Sequence, residues 1–367
     1  MSCYFPLVGV DTGAVNLETG KRILSIRPHG TKVDPSLVKE VIPIPCGHCI
    51  GCRLDRSRQW ADRCMLELMY HERACFLTLT YDDRHVPRRF YGDSETGSAR
   101  PCFTLCLRDL QLFFKRVRKA FPGRSIRYFG CGEYGPTTLR PHYHVILFGL
   151  DFEDRVELPR QSKTGQKLYT SEKLNSLWSF LPRNVLGESY KPDNFDSLKP
   201  KEKDSLMLAG LATVQDVTWE TCAYTARYVQ KKLYGYEAKF YEKHNLDPPF
   251  AVMSRRPGIG RCYYDEHPDL FDFQQIHIPT ADGGKSIYPP RYFMKCLEAT
   301  DEEKAEALKN VRKQLVKERQ ALLESELQIP YEQYLHQQND IKLAQIKSLI
   351  RSDCYVPPRK NASQARS

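Results

Sequence analysis

The sequence lacks the features of membrane proteins, secreted proteins and nucleotide-driven motors. Its longest apolar run is about the length of HVILFGL, far short of the ~20 residues that a membrane helix needs. The start, MSCYFPLVGVDTG, has no basic region followed by an apolar core, so we expect no signal peptide. No GxxxxGK[ST] loop occurs, so any helicase would be a separate protein. We therefore expect a protein of a reducing cytosol with no membrane partner.

Acidic residues are the minority charge, with 45 Asp and Glu against 55 Lys and Arg and a net charge of +10. Such a balance suits a polyanionic partner such as DNA, although many basic proteins bind none. The 13 cysteines are an odd number, and in a reducing compartment they indicate thiols or metal ligands rather than disulfides. A chain of 367 residues can bury a core as one large domain or two smaller ones.

Two histidines stand in the otherwise apolar run RPHYHVILFG, residues 140–149. A strand alternates its faces, so His142 and His144 lie on one face. The preceding run SIRYFGCGEYG predicts a hairpin that brings Glu133 beside them. Two imidazoles and a carboxylate suit Mg²⁺ or Mn²⁺ with open coordination positions. The alternative is a pair of half-exposed histidines and a solvated carboxylate.

The run YTARYVQKK, residues 224–232, carries two tyrosines four residues apart. On a helix Tyr224 and Tyr228 share one face, and Lys231 and Lys232 follow a turn later. Tyrosine is a poor nucleophile at its ordinary pKa of about 10, but nearby cations and a metal-polarised phosphate would help it attack. The alternative is that both tyrosines simply pack in a half-buried helix.

The run PCGHCIGC, residues 45–52, predicts a structural zinc site. Cys46, Cys49 and Cys52 have tandem CxxC spacing, with His48 between them. The complete four-ligand pattern is missing, so the fourth ligand is either His48 or a distant cysteine such as Cys3.

Two basic stretches are candidates for DNA contact. MSRRPGIGR, residues 253–261, has a Pro-Gly-x-Gly turn among arginines, and an amphipathic helix with a basic outer face is predicted over residues 53–73. The candidate DNA-binding residues are Arg255, Arg256, Arg261, Arg53 and Arg56. Solvated charges on a tight turn and on an exposed helix are the alternative.

The composition divides the chain into five segments. They are an N-terminal segment with the Cys-rich motif (1–52), a catalytic domain (53–265) with a polar surface insertion at about 181–205, a linker (266–299), a charged helical region (300–353) and a disordered tail (354–367).

Several motifs occur in a consistent order: FLTLTY, GEYG followed by RPHYHVILFG, YTARYVQKK and MSRRPGIG. Over about residues 40–265 the chain resembles the HUH endonuclease superfamily of rolling-circle replication initiators. Within it, the chain is similar to the replication initiation proteins of microviruses, the small circular single-stranded DNA bacteriophages, and particularly their gokushovirus branch.

The resemblance implies an α+β HUH palm, a central antiparallel five-stranded sheet flanked by helices, with the FLTLTY and HYH strands adjacent. It also implies that His142, His144 and Glu133 hold a divalent metal against the scissile phosphate. One tyrosine would form a 5′-phosphotyrosine bond and leave a 3′-hydroxyl that primes synthesis, and the second would cut the regenerated origin. Arg227 stands where similar enzymes usually have a lysine three residues after a nucleophile, so it would position phosphate rather than donate a proton.

The implied partners are single-stranded or supercoiled origin DNA and the host's helicase and replication machinery, in the bacterial cytoplasm. Two other functions stay open from the residues alone. One is a sequence-specific DNA-binding protein without catalysis. The other is a metal-dependent enzyme of another class, since two histidines and a carboxylate also hold non-haem iron.

Overall fold

The computed structural model describes residues 3–349 except for short gaps. These gaps are 19, 21, 93–96, 136–137, 163–164, 229–238, 274 and 281–282. The expected tail at 354–367 lies outside the described residues. The chain divides into two compact units: one contains the residues up to Arg56 together with the described residues from Met294 onward, and the other contains Ser57–Phe293.

The described residues form strands and helices in a mixed order. The strands are β1 (Leu7–Val15), β2 (Arg22–Arg27), β3 (Glu40–Ile44), β4 (Ala74–Thr80), β5 (Arg88–Gly92), β6 (Ala99–Phe103), β7 (Arg127–Tyr134), β8 (Pro141–Phe148), β9 (Arg155–Gln161), β10 (Lys167–Ser171), β11 (Ala212–Gln215), β12 (Phe250–Met253), β13 (Ile276–Thr280) and β14 (Gly283–Ile287). The α-helices are α1 (Ile50–Leu68), α2 (Leu107–Ala120), α3 (Glu172–Leu177), α4 (Pro200–Met207), α5 (Trp219–Tyr228), α6 (Lys239–Lys243), α7 (Arg261–Glu266), α8 (Arg291–Thr300), α9 (Glu302–Leu327) and α10 (Tyr331–Leu349). Among the helices of the described part, none is long and apolar enough to span a membrane.

A seven-stranded sheet in the order β12-β7-β8-β4-β11-β10-β9 forms the centre of the Ser57–Phe293 unit. Every neighbouring pair is antiparallel. The predicted adjacency of the FLTLTY and HYH strands is confirmed, because β4 pairs with β8 along its whole length. The sheet has two strands more than the five expected. The extra pair, β9 and β10, comes from the polar stretch after residue 150 and joins the sheet at Tyr169, opposite Val214.

One face of this sheet makes the main hydrophobic core. Tyr143, Val145 and Leu147 of β8 are fully buried on it, as the alternating pattern predicts. The amphipathic helix α2 covers this face with Phe113 and other apolar side chains, and Trp178 at the end of α3 joins the same cluster. The predicted helix over 107–121 is therefore confirmed within one residue.

The opposite face carries the histidines and is covered by other helices. Trp60 of α1 stacks on Phe129 of β7 with ring centroids 4.8 Å apart. Helix α5 contacts both β7 and β8. It begins after Thr218, whose hydroxyl accepts a hydrogen bond from the Thr221 amide at 3.3 Å, as expected of an N-cap.

Segments that we expected to be peripheral contribute ordered structure. Residues 266–299, expected to be a linker, contain the β13–β14 pair and most of α8. Arg183, from the expected surface insertion, is largely buried and pairs with buried Asp109 at 2.9 Å. Asp109 also accepts a hydrogen bond from the Tyr81 hydroxyl at 2.6 Å. The insertion is therefore anchored in the core of this unit.

In the other unit, β2, β1 and β3 form a small antiparallel sheet in that order. The charged region after Thr300 contains α9 and α10, separated near Pro330 as the composition predicts. Helix α1 begins at Ile50 rather than Arg53, so Cys52 lies in its first turn.

Candidate metal centre and nucleophile

Glu133, His142 and His144 meet on the histidine-bearing face of the central sheet. Glu133 lies directly opposite His142 in the β7–β8 pairing. Its Oε1 lies 2.7 Å from His142 Nε2 and 3.2 Å from His144 Nε2. Glu133 and His144 are buried, whereas the His142 side chain keeps about 20% of its surface exposed. The three ligand atoms lie within 4.8 Å of one another, so they could hold one metal ion.

The second nitrogen of each imidazole has its own partner. His142 Nδ1 lies 3.1 Å from the Arg140 carbonyl oxygen, which can only accept, so this nitrogen carries the hydrogen. His144 Nδ1 lies 3.1 Å from the Thr78 hydroxyl on the neighbouring strand β4. These contacts fix both rings with Nε2 directed at the carboxylate. Outer contacts of this kind are typical of histidine metal ligands.

The carboxyl group of Glu133 is held in its charged form. Burial alone would raise its pKa, but hydrogen bonds from His142 and His144, together with their charges, outweigh burial and lower the pKa to about 2. A buried, ionised carboxylate facing two imidazole nitrogens is a suitable site for a divalent cation.

Tyr224 lies next to this triad. Its ring contacts the His144 ring edge to face, with centroids 5.0 Å apart. Phe76 of β4 stacks on the other side of His144, with ring centroids 5.6 Å apart and planes 7° from parallel. Tyr224 is half-buried, so its phenol stands between the helix and the sheet face that carries the triad.

The remaining residues of the tyrosine motif are described less completely. Arg227 and Tyr228 occupy the last turn of α5, four residues or fewer beyond Tyr224. Lys231 and Lys232 lie outside the described residues. The structure therefore brings Tyr224 to the triad, and the roles of the other four stay predictions.

Four cysteine sulfurs converge in the unit formed by the chain's two ends. Cys3, Cys46, Cys49 and Cys52 have ligand atoms within 4.8 Å of one another. Cys3, one of the two candidates for the fourth ligand, fills the cluster. His48 instead places its Nδ1 2.9 Å from the Cys46 carbonyl oxygen.

The candidate DNA-binding arginines have different surroundings. Arg255 and Arg256 are exposed, whereas Arg261 pairs with Asp265 at 2.6 Å. Arg56 is exposed and Arg53 half-buried. The arginine turn follows Met253, which pairs with Phe129, four positions along β7 from Glu133. At about 3.3 Å per residue, this places the turn about 13 Å or more from the triad.

Sequence reasoning missed the two residues of β4 that support the triad, Thr78 and Phe76. A signal was present, because FLTLTY alternates and Phe76 and Thr78 share one face. What the sequence did not contain was the register that sets Thr78 opposite His144.

A sequence profile of the "Replication-associated protein ORF2" family matches residues 74–233. The chain is 30% identical over 282 residues to the "Replication-associated protein ORF2" of Spiroplasma virus 4, covering 75% of this chain and 74% of that protein. It is 27% identical to the "Replication-associated protein VP4" of Bdellovibrio phage phiMH2K, over 71% of this chain and 69% of that protein. A third relative, the "Replication-associated protein ORF4" of Chlamydia phage 1, is 29% identical over 52% of this chain and 38% of that protein. No solved structure matches the chain significantly.

Proposed function

Because the chain belongs to the ORF2 family of phage replication-associated proteins, we propose that it nicks and rejoins DNA at the origin of a circular phage genome. The proposed activity is that of a metal-dependent, HUH-type endonuclease with a tyrosine nucleophile. The observation that carries the proposal is the position of Tyr224, whose ring contacts His144 within a Glu133–His142–His144 triad.

The triad residues would hold Mg²⁺ or Mn²⁺, which when bound supplies charge stabilisation for the scissile phosphate. His142, the more exposed ligand, would lie on the side that DNA approaches. Glu133 contributes the negative charge that retains a divalent cation. Thr78 and the Arg140 carbonyl keep both imidazoles oriented through their Nδ1 atoms.

Tyr224 would attack the phosphorus through its phenolic oxygen. A tyrosyl O–P bond forms, the bond from phosphorus to the 3′-oxygen breaks, and the phenolic proton is transferred to solvent or to a nearby base. The products are a 5′-phosphotyrosine link and a free 3′-hydroxyl that can prime synthesis. Attack by a 3′-hydroxyl on the phosphotyrosine reverses these steps and rejoins the strand without a nucleotide cofactor.

Tyr228 is the proposed second nucleophile, cutting the regenerated origin after one round. Tyr224 and Tyr228 occupy successive turns of α5, and positions four residues apart lie on one face of a helix. Arg227, Lys231 and Lys232 would contribute positive charge near the phosphate.

The proposed partners are single-stranded or supercoiled origin DNA and the bacterial host's helicase and replication machinery, so the protein would act in the host cytoplasm. Exposed Arg255 and Arg256 would contact DNA backbone beyond the cut site, with Arg53, Arg56 and Arg261 as further candidates.

We also propose that Cys3, Cys46, Cys49 and Cys52 hold a structural zinc ion. The Cys46 amide donates to the Cys3 sulfur at 3.2 Å, and the Cys49 amide donates to the Cys46 sulfur at 3.3 Å. The Cys3 and Cys49 sulfurs lie 3.9 Å apart. In a tetrahedral site with Zn–S distances of about 2.3 Å, sulfurs are about 3.8 Å apart. The four thiols therefore fit zinc with little rearrangement.

The test of nicking is covalent capture of DNA. The full chain is incubated with Mn²⁺ and single-stranded oligonucleotides tiled across its own genome, and denaturant-resistant adducts are mapped by peptide mass spectrometry. We expect an adduct on Tyr224 or Tyr228 that is lost with EDTA and in His142→Ala. Tyr190→Phe, at an exposed tyrosine, should leave it unchanged. DNA binding without an adduct at any segment would refute the proposal and favour a binding protein without catalysis.

A further inference from the structure

A second histidine cluster lies in the unit formed by the chain's two ends, and the proposed nicking reaction does not use it. It consists of His29, which follows β2, and of Glu332 and His336, four residues apart on one face of α10. His29 and His336 are 307 residues apart in the sequence. We propose that these three side chains bind a first-row transition metal ion, such as Zn²⁺ or Ni²⁺.

The argument begins with the His29 ring. Its Nδ1 lies 2.9 Å from the Pro6 carbonyl oxygen. A carbonyl oxygen has no hydrogen to donate, so Nδ1 carries the ring hydrogen. In the neutral ring, Nε2 then presents a lone pair. The arrangement matches the outer contact that orients a histidine metal ligand.

Two further electron-rich groups face this lone pair. Glu332 Oε1 lies 3.1 Å from His29 Nε2, and His336 Nε2 lies 3.3 Å from it. A carboxylate oxygen opposite an imidazole lone pair is repulsive unless a positive charge lies between them. A single proton can bridge two of these atoms, whereas a metal ion can accept all three.

The distances fit a small metal ion. For zinc with ligand distances of about 2.0–2.1 Å, a tetrahedral arrangement separates neighbouring ligand atoms by about 3.3–3.4 Å. The two measured separations, 3.1 and 3.3 Å, are close to this value. All three ligand atoms lie within 4.8 Å of one another, so a small rotation of the Glu332 or His336 side chain would complete the set.

The donor types select the class of metal. Two imidazoles and one carboxylate favour zinc, nickel, copper or cobalt over magnesium or calcium, which prefer oxygen ligands. The Phe5 ring packs against both imidazoles, with centroids 5.6 Å from His29 and 5.1 Å from His336. This packing holds the two rings in place from one side. A bound ion would cross-link the segment after β2 to the first turns of α10.

The test is nickel titration of the full chain by calorimetry, in excess Mg²⁺ and after loading with zinc. His336→Gln removes a ligand from an exposed helix position, and His277→Gln is the matched control, because exposed His277 contacts Ser286 and belongs to no cluster of the described residues. We expect His336→Gln to bind one equivalent of nickel less than the native chain. Glu332→Gln should bind that equivalent at least tenfold more weakly, and His277→Gln should match the native chain.

Amide hydrogen exchange gives a second measurement that is independent of stoichiometry. Nickel should slow exchange in residues 331–336 of the native chain and of His277→Gln, but not of His336→Gln. Equal nickel stoichiometry in the native chain and His336→Gln, with no change in exchange, would overturn the proposal. His142→Ala separates it from the nicking site, because that variant should lose adduct formation and keep the His336-dependent equivalent.

Discussion

At the scale of single residues, the candidate metal centre depends on side chains that bind no metal themselves. Thr78 contacts His144 Nδ1 at 3.1 Å. Removal of such an outer contact typically weakens metal binding by 10–100-fold. We therefore expect Thr78→Val to weaken Mn²⁺ binding at the triad by about tenfold or more, measured by calorimetry or by the Mn²⁺ dependence of adduct formation.

A threonine on the same strand face provides the control for this variant. Thr80 donates its hydroxyl hydrogen to the Leu211 carbonyl at 2.8 Å and does not contact the histidines. Thr80→Val should change metal binding by less than twofold, even if it lowers stability slightly. Equal effects of the two variants would show that Thr78 acts on the sheet rather than on His144.

A second buried carboxylate, Glu67, makes stability depend on pH. Burial would raise its pKa, but hydrogen bonds from His71 and the Gly260 amide and the charge of Arg127 outweigh burial and lower it. Because the folded-state pKa lies below the unfolded value of about 4.3, this stabilisation is complete above that pH and is lost as the pH falls below it. We expect Glu67→Gln to cost about 3 kcal/mol at pH 7 and progressively less toward pH 3.

Denaturant unfolding at several pH values measures this effect. Glu72→Gln is the matched control, since Glu72 is exposed nearby and should change stability by less than about 0.5 kcal/mol at any pH. A pH-independent cost in Glu67→Gln would show that its hydrogen bonds, rather than its charge, stabilise the fold.

The sequence predicted the ligands but not their supports. The alternation of a strand is enough to put His142 and His144 on one face, and the short turn is enough to bring Glu133 near them. Thr78 comes from a strand more than 60 residues away, and its contact with His144 depends on register. The choice of Cys3 over His48 likewise depends on where the first strand begins, which the spacing of PCGHCIGC does not determine.

At the scale of elements, helix α2 is the main cover of the apolar sheet face. Phe113 lies at its centre and is fully buried. Truncation of a buried phenylalanine typically costs about 3–5 kcal/mol. We expect Phe113→Ala to lose that much unfolding free energy, measured by denaturant titration, while Phe273→Ala, at an exposed position, loses less than about 1 kcal/mol.

The strongly patterned elements were predictable, whereas the extent of the sheet was not. The strands β4 and β8 and helices α2 and α5 have clear periodicity and lie where the sequence predicts them. Strands β9 and β10 are largely exposed on both faces. Without a buried face they have no alternation to detect, and the five-strand expectation therefore missed them.

At the scale of the whole molecule, the net charge of +10 should make DNA binding depend on salt. Each phosphate contact to single-stranded DNA contributes about 0.7 to the slope of log affinity against log salt. If Arg255 and Arg256 each contact a phosphate, their double alanine variant should lower the slope by about 1.4, equally for origin and unrelated sequences. Fluorescence anisotropy at a series of salt concentrations measures this slope.

Two exposed basic residues outside the arginine turn control for net charge. Arg160 and Lys201 are both exposed, so replacing both with alanine removes the same charge. That variant should keep the native slope within about 0.3. An equal drop in both double variants would mean that the chain's overall charge, rather than the arginine turn, sets the salt dependence.

The order of strands in the central sheet has a consequence for synthesis on the ribosome. Strand β4 lies between β8 and β11, yet of the seven strands it is made first, and β11 follows only at Ala212. At about 5–20 residues per second, the apolar side chains of β4 wait roughly ten seconds or more for their last neighbour. During that interval the nascent chain exposes an unpaired, aggregation-prone edge, and its yield in a cell should depend on chaperones that bind it there.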